Sequence, residues 1–397
     1  MPSTTSPTTA PVARPKDDPA RAPRRLTALD GMRFLAALSV LFYHYFASNH
    51  DAWGQGTVDT FPHLHPLAVF GSFGVQLFFV VSGFVILLSA WGRDVRAFTA
   101  SRVARLFPAY WVSVALMLVL LLLVAPGEKS VTVGDAAANL TMVQRALGVH
   151  DLEAVYWTLW SELRFYVLVG ILLAVGLTRE RVLAFATIWP VAGAVAVQAK
   201  SNLWSTVLIG ADAPLFAGGM VLFLLTRRPR SLGLWLALGL NVALAGVISG
   251  RTQALRVASS AEITIGPATY WTAIVVCFAL VALVTLTPLN RISWGWLTVV
   301  GALTYPLYLI HMSWGRWMIA ELNPHLPVAG TFAVVTLTML VAAYLIHRLV
   351  ERPFGPRLRR ALVRDLSPGA LVRPRRRPVP QPGPVTGEVP AAKAVSR

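Results

Sequence analysis

Cysteine is nearly absent from the chain: among 397 residues only Cys277 carries a thiol. One thiol excludes an internal disulfide framework and any zinc or iron–sulfur site that draws on several cysteines. Charge is scarce as well. Charged residues make up 13% of the chain, against about 25% in a typical soluble domain. Acids are the scarcer sign, 18 against 35 bases, which leaves a net charge of +17. Sustained period-two alternation is missing, so a membrane β-barrel is not expected. The first 25 residues are rich in Pro, Thr, Ala and Arg. They lack the short apolar core and small-residue cleavage site of a removable signal peptide, so the first apolar run is expected to act as an uncleaved anchor. These absences exclude a secreted disulfide scaffold, a soluble enzyme and a wholly disordered chain. The basic balance does not point to nucleic acid. A nucleic-acid binder carries its bases on one face of a soluble fold, whereas here the arginines punctuate apolar runs.

Those runs are the dominant feature. Hydrophobic residues are 55% of the chain, and crossing a bilayer core takes about 20 of them in a helix. Ten stretches qualify, near 28–48, 67–90, 106–124, 157–177, 182–198, 203–225, 232–249, 269–287, 296–317 and 328–349. Hydropathy leaves open whether the chain tilts or breaks at Pro306 and Pro327. Loop charge gives an orientation, because cytoplasmic loops are enriched in Lys and Arg. One side carries Arg93, Arg96, Arg102, Arg105, Arg179, Arg181, Arg227, Arg228, Arg230 and Arg291. The other carries half as many: Lys129, Arg145, Lys200, Arg251 and Arg256. The expected fold is therefore an all-α polytopic membrane protein of about ten transmembrane helices, in the cell (inner or plasma) membrane, with both termini cytoplasmic. Its expected parts are a disordered basic tail over 1–25, a membrane domain over 26–354 and a Pro- and Arg-rich tail over 355–397.

Polar residues inside the runs are the candidates for function, since an ionisable side chain in a bilayer is costly. Arg33 and His44 lie eleven residues apart in the first run. Eleven steps of about 100° leave a net rotation of about 20°, so both share one face, about 16 Å apart along the axis. Thr27 to Asp30 reads as a capping box opening this helix. Glu162 and His311 each fall in the outer part of their runs, at a depth similar to His44. Arg102 and Arg105, three residues apart at the inner edge of the third run, present two guanidinium forks that suit phosphate oxygens. Trp157 heads the fourth run, and Glu351-Arg352-Pro353 reads as the stop of the last one. His50, Asp51, His63 and His65 share an outer loop without a diagnostic ligand spacing, and no metal is expected.

In this order the motifs resemble acyltransferase family 3, the ten-helix membrane O-acyltransferases. The resemblance rests on Leu29 to Phe34 with the Arg33–His44 spacing; Phe78 to Phe84, including Ser82; Arg102 and Arg105 followed by Pro108 and Tyr110; Trp157 to Tyr166; Phe216 with Gly219; Tyr305 to His311; and Glu351-Arg352-Pro353. One position departs from the pattern: Leu163 stands where the family usually has a second acid after Glu162. No hydrolase-like domain accompanies these motifs, which points to the stand-alone branch. The resemblance implies transfer of an acyl group, acetyl in the simplest case, from acyl-CoA to a hydroxyl of a sugar-containing acceptor: a polysaccharide, a glycolipid or a glycosylated small molecule. It places His44 as general base or acyl carrier, Glu162 as the acid that orients it, Arg33 both among the catalytic residues and on the donor, and Arg102 and Arg105 on the donor. Trp157, His311 and Ser82 are expected to contact substrate. The cationic grip and the imidazole are expected to share one bilayer-crossing cavity. The competing reading is a transporter or flippase that uses the buried His, Glu and Arg as a proton relay.

Overall fold

The computed structural model describes residues 26–126 and 130–365, and every regular element among them is helical. The expected N-terminal tail and the part of the C-terminal tail beyond 365 lie outside the described residues. The main helices are α1 (Thr27–Phe46), α2 (His65–Ala90), α3 (Val95–Val124), α4 (Ala154–Val175), α5 (Arg179–Gln198), α6 (Ala213–Arg227), α7 (Leu232–Ser260), α8 (Pro267–Leu286), α9 (Gly295–Leu322), α10 (Val328–Ile346) and α11 (Arg352–Asp365). Seven are long and apolar enough to cross a membrane: α2, α3, α4, α5, α7, α8 and the unit formed by α10 and α11. Leu35, Leu123, Ile188 and Leu232 stand exposed on the outer surface, as a lipid-facing surface requires. The chain is an all-α, multi-pass membrane protein.

The helices outside that set of seven differ for physical reasons. In α1, Asp30, Arg33 and His44 lower the hydropathy, and in α9 His311 and Arg316 do the same. These polar groups are tolerated because α1 and α9 pack along each other and turn them inward. In α6 the limit is length, 15 residues. This helix is buried on all sides from Ala213 to Leu225 and packs against α2, α5, α7 and α8. A helix apolar all round belongs in a core.

Lipid tails are as apolar as leucine, so helices in a bilayer associate by close packing rather than by burial. The contact of α2 with α6 is built this way. A Cβ at Gly83 would strike the Phe216 carbonyl, and one at Gly219 would strike the Val80 carbonyl. Two sequence motifs, Phe78 to Phe84 and Phe216 with Gly219, are thus the two halves of one backbone-to-backbone contact.

Several elements depart from the sequence expectation. The stretch near 203–225 is broken: Asn202–Val207 is a short helix, and α6 starts only at Ala213. The buried Asp212 carboxylate accepts from Ser161 Oγ at 3.3 Å between the two pieces. Pro306 lies inside an uninterrupted helix, whereas Pro327 caps α10. The capping box at Thr27 does not form, because Thr27 Oγ1 donates instead to the Ile292 carbonyl at 2.7 Å. The chain also does not stop at Pro353. A π-helical turn over His347–Glu351, closed by the Arg352 amide on the His347 carbonyl, leads without a break into α11, so Pro353 sits directly after the irregular turn, the kind of place where a missing amide in the helical ladder is accommodated. Residues 355–365, expected in a tail, are therefore helical.

Candidate functional site

The site is organised by α1 and α9. On α9, Tyr305, Tyr308 and His311 recur at three-residue intervals and face α1, α3 and α4. His44 Nδ1 and His311 Nε2 are 2.9 Å apart. His311 Nδ1 lies 2.8 Å from the Tyr308 carbonyl oxygen. That oxygen can only accept, so Nδ1 of His311 carries a proton. With both rings neutral, His311 Nε2 is then an acceptor, and His44 Nδ1 must be the donor. His44 Nε2 is left with a free lone pair. The two hydrogen bonds thus select a tautomer that leaves Nε2 of His44 without its proton.

The frame around the pair is polar and mostly buried. Tyr45 Oη donates to the His311 carbonyl at 2.8 Å. Arg316 donates to Ser48 Oγ at 2.9 Å and, from Nε and a terminal nitrogen at 3.4 Å each, to the His44 carbonyl. A guanidinium thereby caps the C-terminal turn of α1, where carbonyls lack intrahelical partners and the helix dipole favours a cation. The Glu153 carboxylate, fully buried, accepts from the amides of Ala154 and Ser313 and so fastens the start of α4 to α9. Sequence reasoning gave Arg316 and Glu153 no role. For Arg316 the signal was present, a charge in the middle of an apolar run; for Glu153, a loop residue, there was none.

Glu162 is not part of this pair. Its Oε1 accepts from Tyr166 Oη at 2.6 Å and from Ser82 Oγ at 3.4 Å. It lines a cavity of about 50 Å³ together with Arg33, Ser82, Phe78, Tyr305 and Tyr308. The level of this cavity follows from one contact, Thr158 Oγ1 donating to Tyr308 Oη at 3.0 Å. Glu162 lies four residues along α4 toward the arginine-rich end, and His311 three residues along α9 the other way. At 1.5 Å per residue, the carboxylate and the imidazole pair are about 10 Å apart along the axis. Depth counted from the edges of apolar runs missed this offset, because α9, at 28 residues, extends beyond its apolar stretch. The place expected for an orienting acid beside His44 is occupied by His311.

Arg102 and Arg105 line a second space, a vestibule of about 970 Å³ at the arginine-rich end, with Ser101, His347, Glu351 and Arg352. Arg102 connects the vestibule to the middle cavity, since its guanidinium lies 5.8 Å from the centre of the Tyr166 ring, and Tyr166 holds Glu162. The expected single cavity is thus not one space: the vestibule and the middle cavity are separate, and the lining of neither includes His44 or His311. Trp157 lines neither space; the Arg256 guanidinium covers its indole at 4.0 Å. Among the described residues no group of three or more His, Cys, Asp or Glu is arranged to hold a metal ion. His65, one of the four outer-loop residues considered, is occupied by the Ala47 carbonyl at 3.0 Å.

Fold and site together define a multi-pass membrane protein with a hydrogen-bonded imidazole pair at one end of its core and a guanidinium-lined vestibule at the other. The profile of the acyltransferase domain family, acyltransferase family 3, matches residues 26–348, and the chain belongs to this family of acyltransferases. It is also similar to a protein of Bacillus subtilis strain 168 named "Putative peptidoglycan O-acetyltransferase YrhL", with 28% identity over 173 residues. That match covers 39% of this chain and 24% of the relative, so the chain spans about a quarter of the length of the curated relative it matches. No solved structure matches the chain.

Proposed function

We propose that the protein transfers an acyl group, acetyl in the reference case, from acyl-CoA at its arginine-rich end to a hydroxyl of a carbohydrate-containing acceptor at its histidine end. The observation that carries the reading is the His44–His311 pair, which presents an unprotonated Nε2 of His44. The arginine-rich end is the cytoplasmic side and both termini lie there, by the loop-charge asymmetry. Ten spans, the seven apolar helices together with α1, α6 and α9, set in the cell membrane, complete the topology. The relative named for peptidoglycan supports an envelope glycan as the acceptor class.

In this mechanism the donor's phosphates bind Arg102 and Arg105 by charge-assisted hydrogen bonds. Its thioester arm advances between Tyr305, Tyr308 and Phe78, and these must swing aside, because about 50 Å³ holds little more than a water molecule. Arg33 and Glu162 line the path, with Ser82 between α2 and α4. At the far end His44 Nε2 removes the proton from the acceptor hydroxyl as its oxygen attacks the thioester carbonyl. The C–S bond breaks, the ester C–O bond forms, and the proton passes from His44 to the departing thiolate. His311 accepts from Nδ1 throughout and so stabilises the imidazolium, the role an orienting acid has in a serine–histidine–acid triad. The same nitrogen serves equally as a nucleophile that carries the acyl group.

The test is transfer of label from acetyl-CoA to an envelope fraction or to soluble oligosaccharides. His44→Ala abolishes transfer while the protein still inserts in the membrane. Full activity in that variant would remove His44 from the chemistry. Labelling of the protein itself in the absence of acceptor distinguishes acyl-histidine from direct attack.

A further inference from the structure

The vestibule has a second wall, which apart from Arg352 lies outside the motifs of the family resemblance. Besides Arg102 and Arg105 on α3, it is lined by Arg352, Arg359, Arg360 and Arg364. These four lie on α11, beyond residue 348, where the family match ends. Positions 352, 356, 359, 360, 363 and 364 all line the space, and their spacing of three and four residues is one stripe of a helix. This stripe faces the Arg102–Arg105 pair. Close packing sets the gap: a Cβ on Gly355 would lie 3.2 Å from the Ala104 carbonyl, so α11 sits directly against α3.

Six guanidiniums thus surround one space. The nearby carboxylates are engaged: Glu351 is 2.6 Å from His347 Nδ1, and Asp365 is 3.1 Å from Arg364 Nε. Arg102 Nε is buried without a hydrogen-bond partner. A buried donor left unmade is costly, and planar guanidinium forks match phosphate oxygens. Two opposed arginine walls suit a ligand with phosphate groups on two sides. A coenzyme A nucleotide, with a 5′-diphosphate and a separate 3′-phosphate, has that form.

We infer that α11 is the second jaw of a phosphate clamp, in which Arg359 and Arg360 grip the donor nucleotide opposite Arg102 and Arg105. The inference rests on the donor reading under Proposed function. It adds that a C-terminal helix outside the family match determines affinity for the nucleotide while leaving the thioester arm untouched.

The experiment uses the full chain in phosphatidylcholine nanodiscs and measures affinity for coenzyme A, 3′-dephospho-coenzyme A, pantetheine and inorganic pyrophosphate. Arg359 and Arg360 are exposed, so reversing them in the variant R359E/R360E removes no core contact. The wild type is expected to bind coenzyme A at least tenfold more tightly than pantetheine. R359E/R360E is expected to lose tenfold or more for coenzyme A and for pyrophosphate, with pantetheine unchanged. Coenzyme A and pyrophosphate affinities within twofold of wild type in that variant would overturn the clamp, also if binding to phosphatidylglycerol vesicles falls, since α11 would then be a membrane-surface helix. Pyrophosphate binding that depends on Arg359 and Arg360, without coenzyme A binding by the wild type, would uphold the clamp and reject the donor. Coenzyme A binding that is lost in R102A/R105A but kept in R359E/R360E would do the reverse.

Discussion

Replacing His311 with leucine tests the imidazole pair most directly. His311 is 1% exposed, so the substitution acts in the interior. It leaves the donor on His44 Nδ1 and the acceptor of Tyr308 without the partners they now have at 2.9 and 2.8 Å. An unmade buried hydrogen bond costs about 1–3 kcal/mol, which lowers the yield of folded protein but not the rate per folded molecule. The kinetic loss has a separate origin. When His44 becomes an imidazolium, its bond to His311 becomes charge-assisted, and such bonds contribute about 1.5–3 kcal/mol. At about 1.4 kcal/mol per tenfold, that is roughly 10- to 150-fold in kcat. Loss of the enforced tautomer adds to it, up to about 10⁴ where an orienting acid has been neutralised in a triad. His311→Leu is therefore expected to lower kcat by about 10²–10⁴ with KM for donor and acceptor unchanged. His311→Gln, whose amide oxygen can accept from His44 Nδ1, should recover part of the loss. The double variant with His44→Ala should be no slower than His44→Ala alone, because the pair acts as a unit. The assay is label transfer from acetyl-CoA, normalised to folded protein by size exclusion. A kcat within threefold of wild type in His311→Leu refutes the argument, and so does a glutamine variant no faster than the leucine one.

Other measurements test other parts of the structure. Arg102→Ala with Arg105→Ala should raise the donor KM by tenfold or more with little change in acceptor KM, since two charge-assisted contacts are lost at the vestibule alone; an unchanged donor KM limits these residues to topology. Gly83→Ala or Gly219→Ala should reduce folded yield and thermal stability by an amount typical of overpacked cores, about 1–3 kcal/mol or more; wild-type melting would show that α2 and α6 can move apart freely. His50, in the loop after α1, has its pKa lowered by burial, and further by Arg316, to about 4. Its Nδ1 accepts from the Ala52 amide at 3.2 Å, which protonation would break. Below about pH 6.5 the unfolded chain takes up a proton that the folded one refuses, so stability falls as pH drops from about 6.5 to 4, by up to about 3 kcal/mol. His50→Asn should flatten this slope in melting curves from pH 7 to 4, and an equally steep slope in the variant would assign it to other groups.

The class of molecule is legible in local sequence alone. Twenty-residue apolar runs, arginines concentrated on alternate loops and a helical repeat of 3.6 residues are local properties. They were sufficient to call for an all-helical membrane protein and to put Arg33 and His44 on one face, and both residues do turn toward α9. The family motifs were equally legible, including glycines whose purpose, the backbone contact of α2 with α6, became clear only when the helices were packed. Which polar groups meet depends on how the helices pack. His44 pairs with His311 rather than Glu162, and Glu162, about 10 Å along the axis from that pair, lines a cavity with Arg33 instead. The vestibule gains a wall from a segment that composition assigned to a tail. These outcomes depend on which helices are neighbours, how far one is shifted along another, and where a π-turn lets a proline continue a helix instead of ending it. Hydropathy averages over such details, whereas a hydrogen bond of 2.9 Å between two rings 267 residues apart does not exist until the helices have been placed.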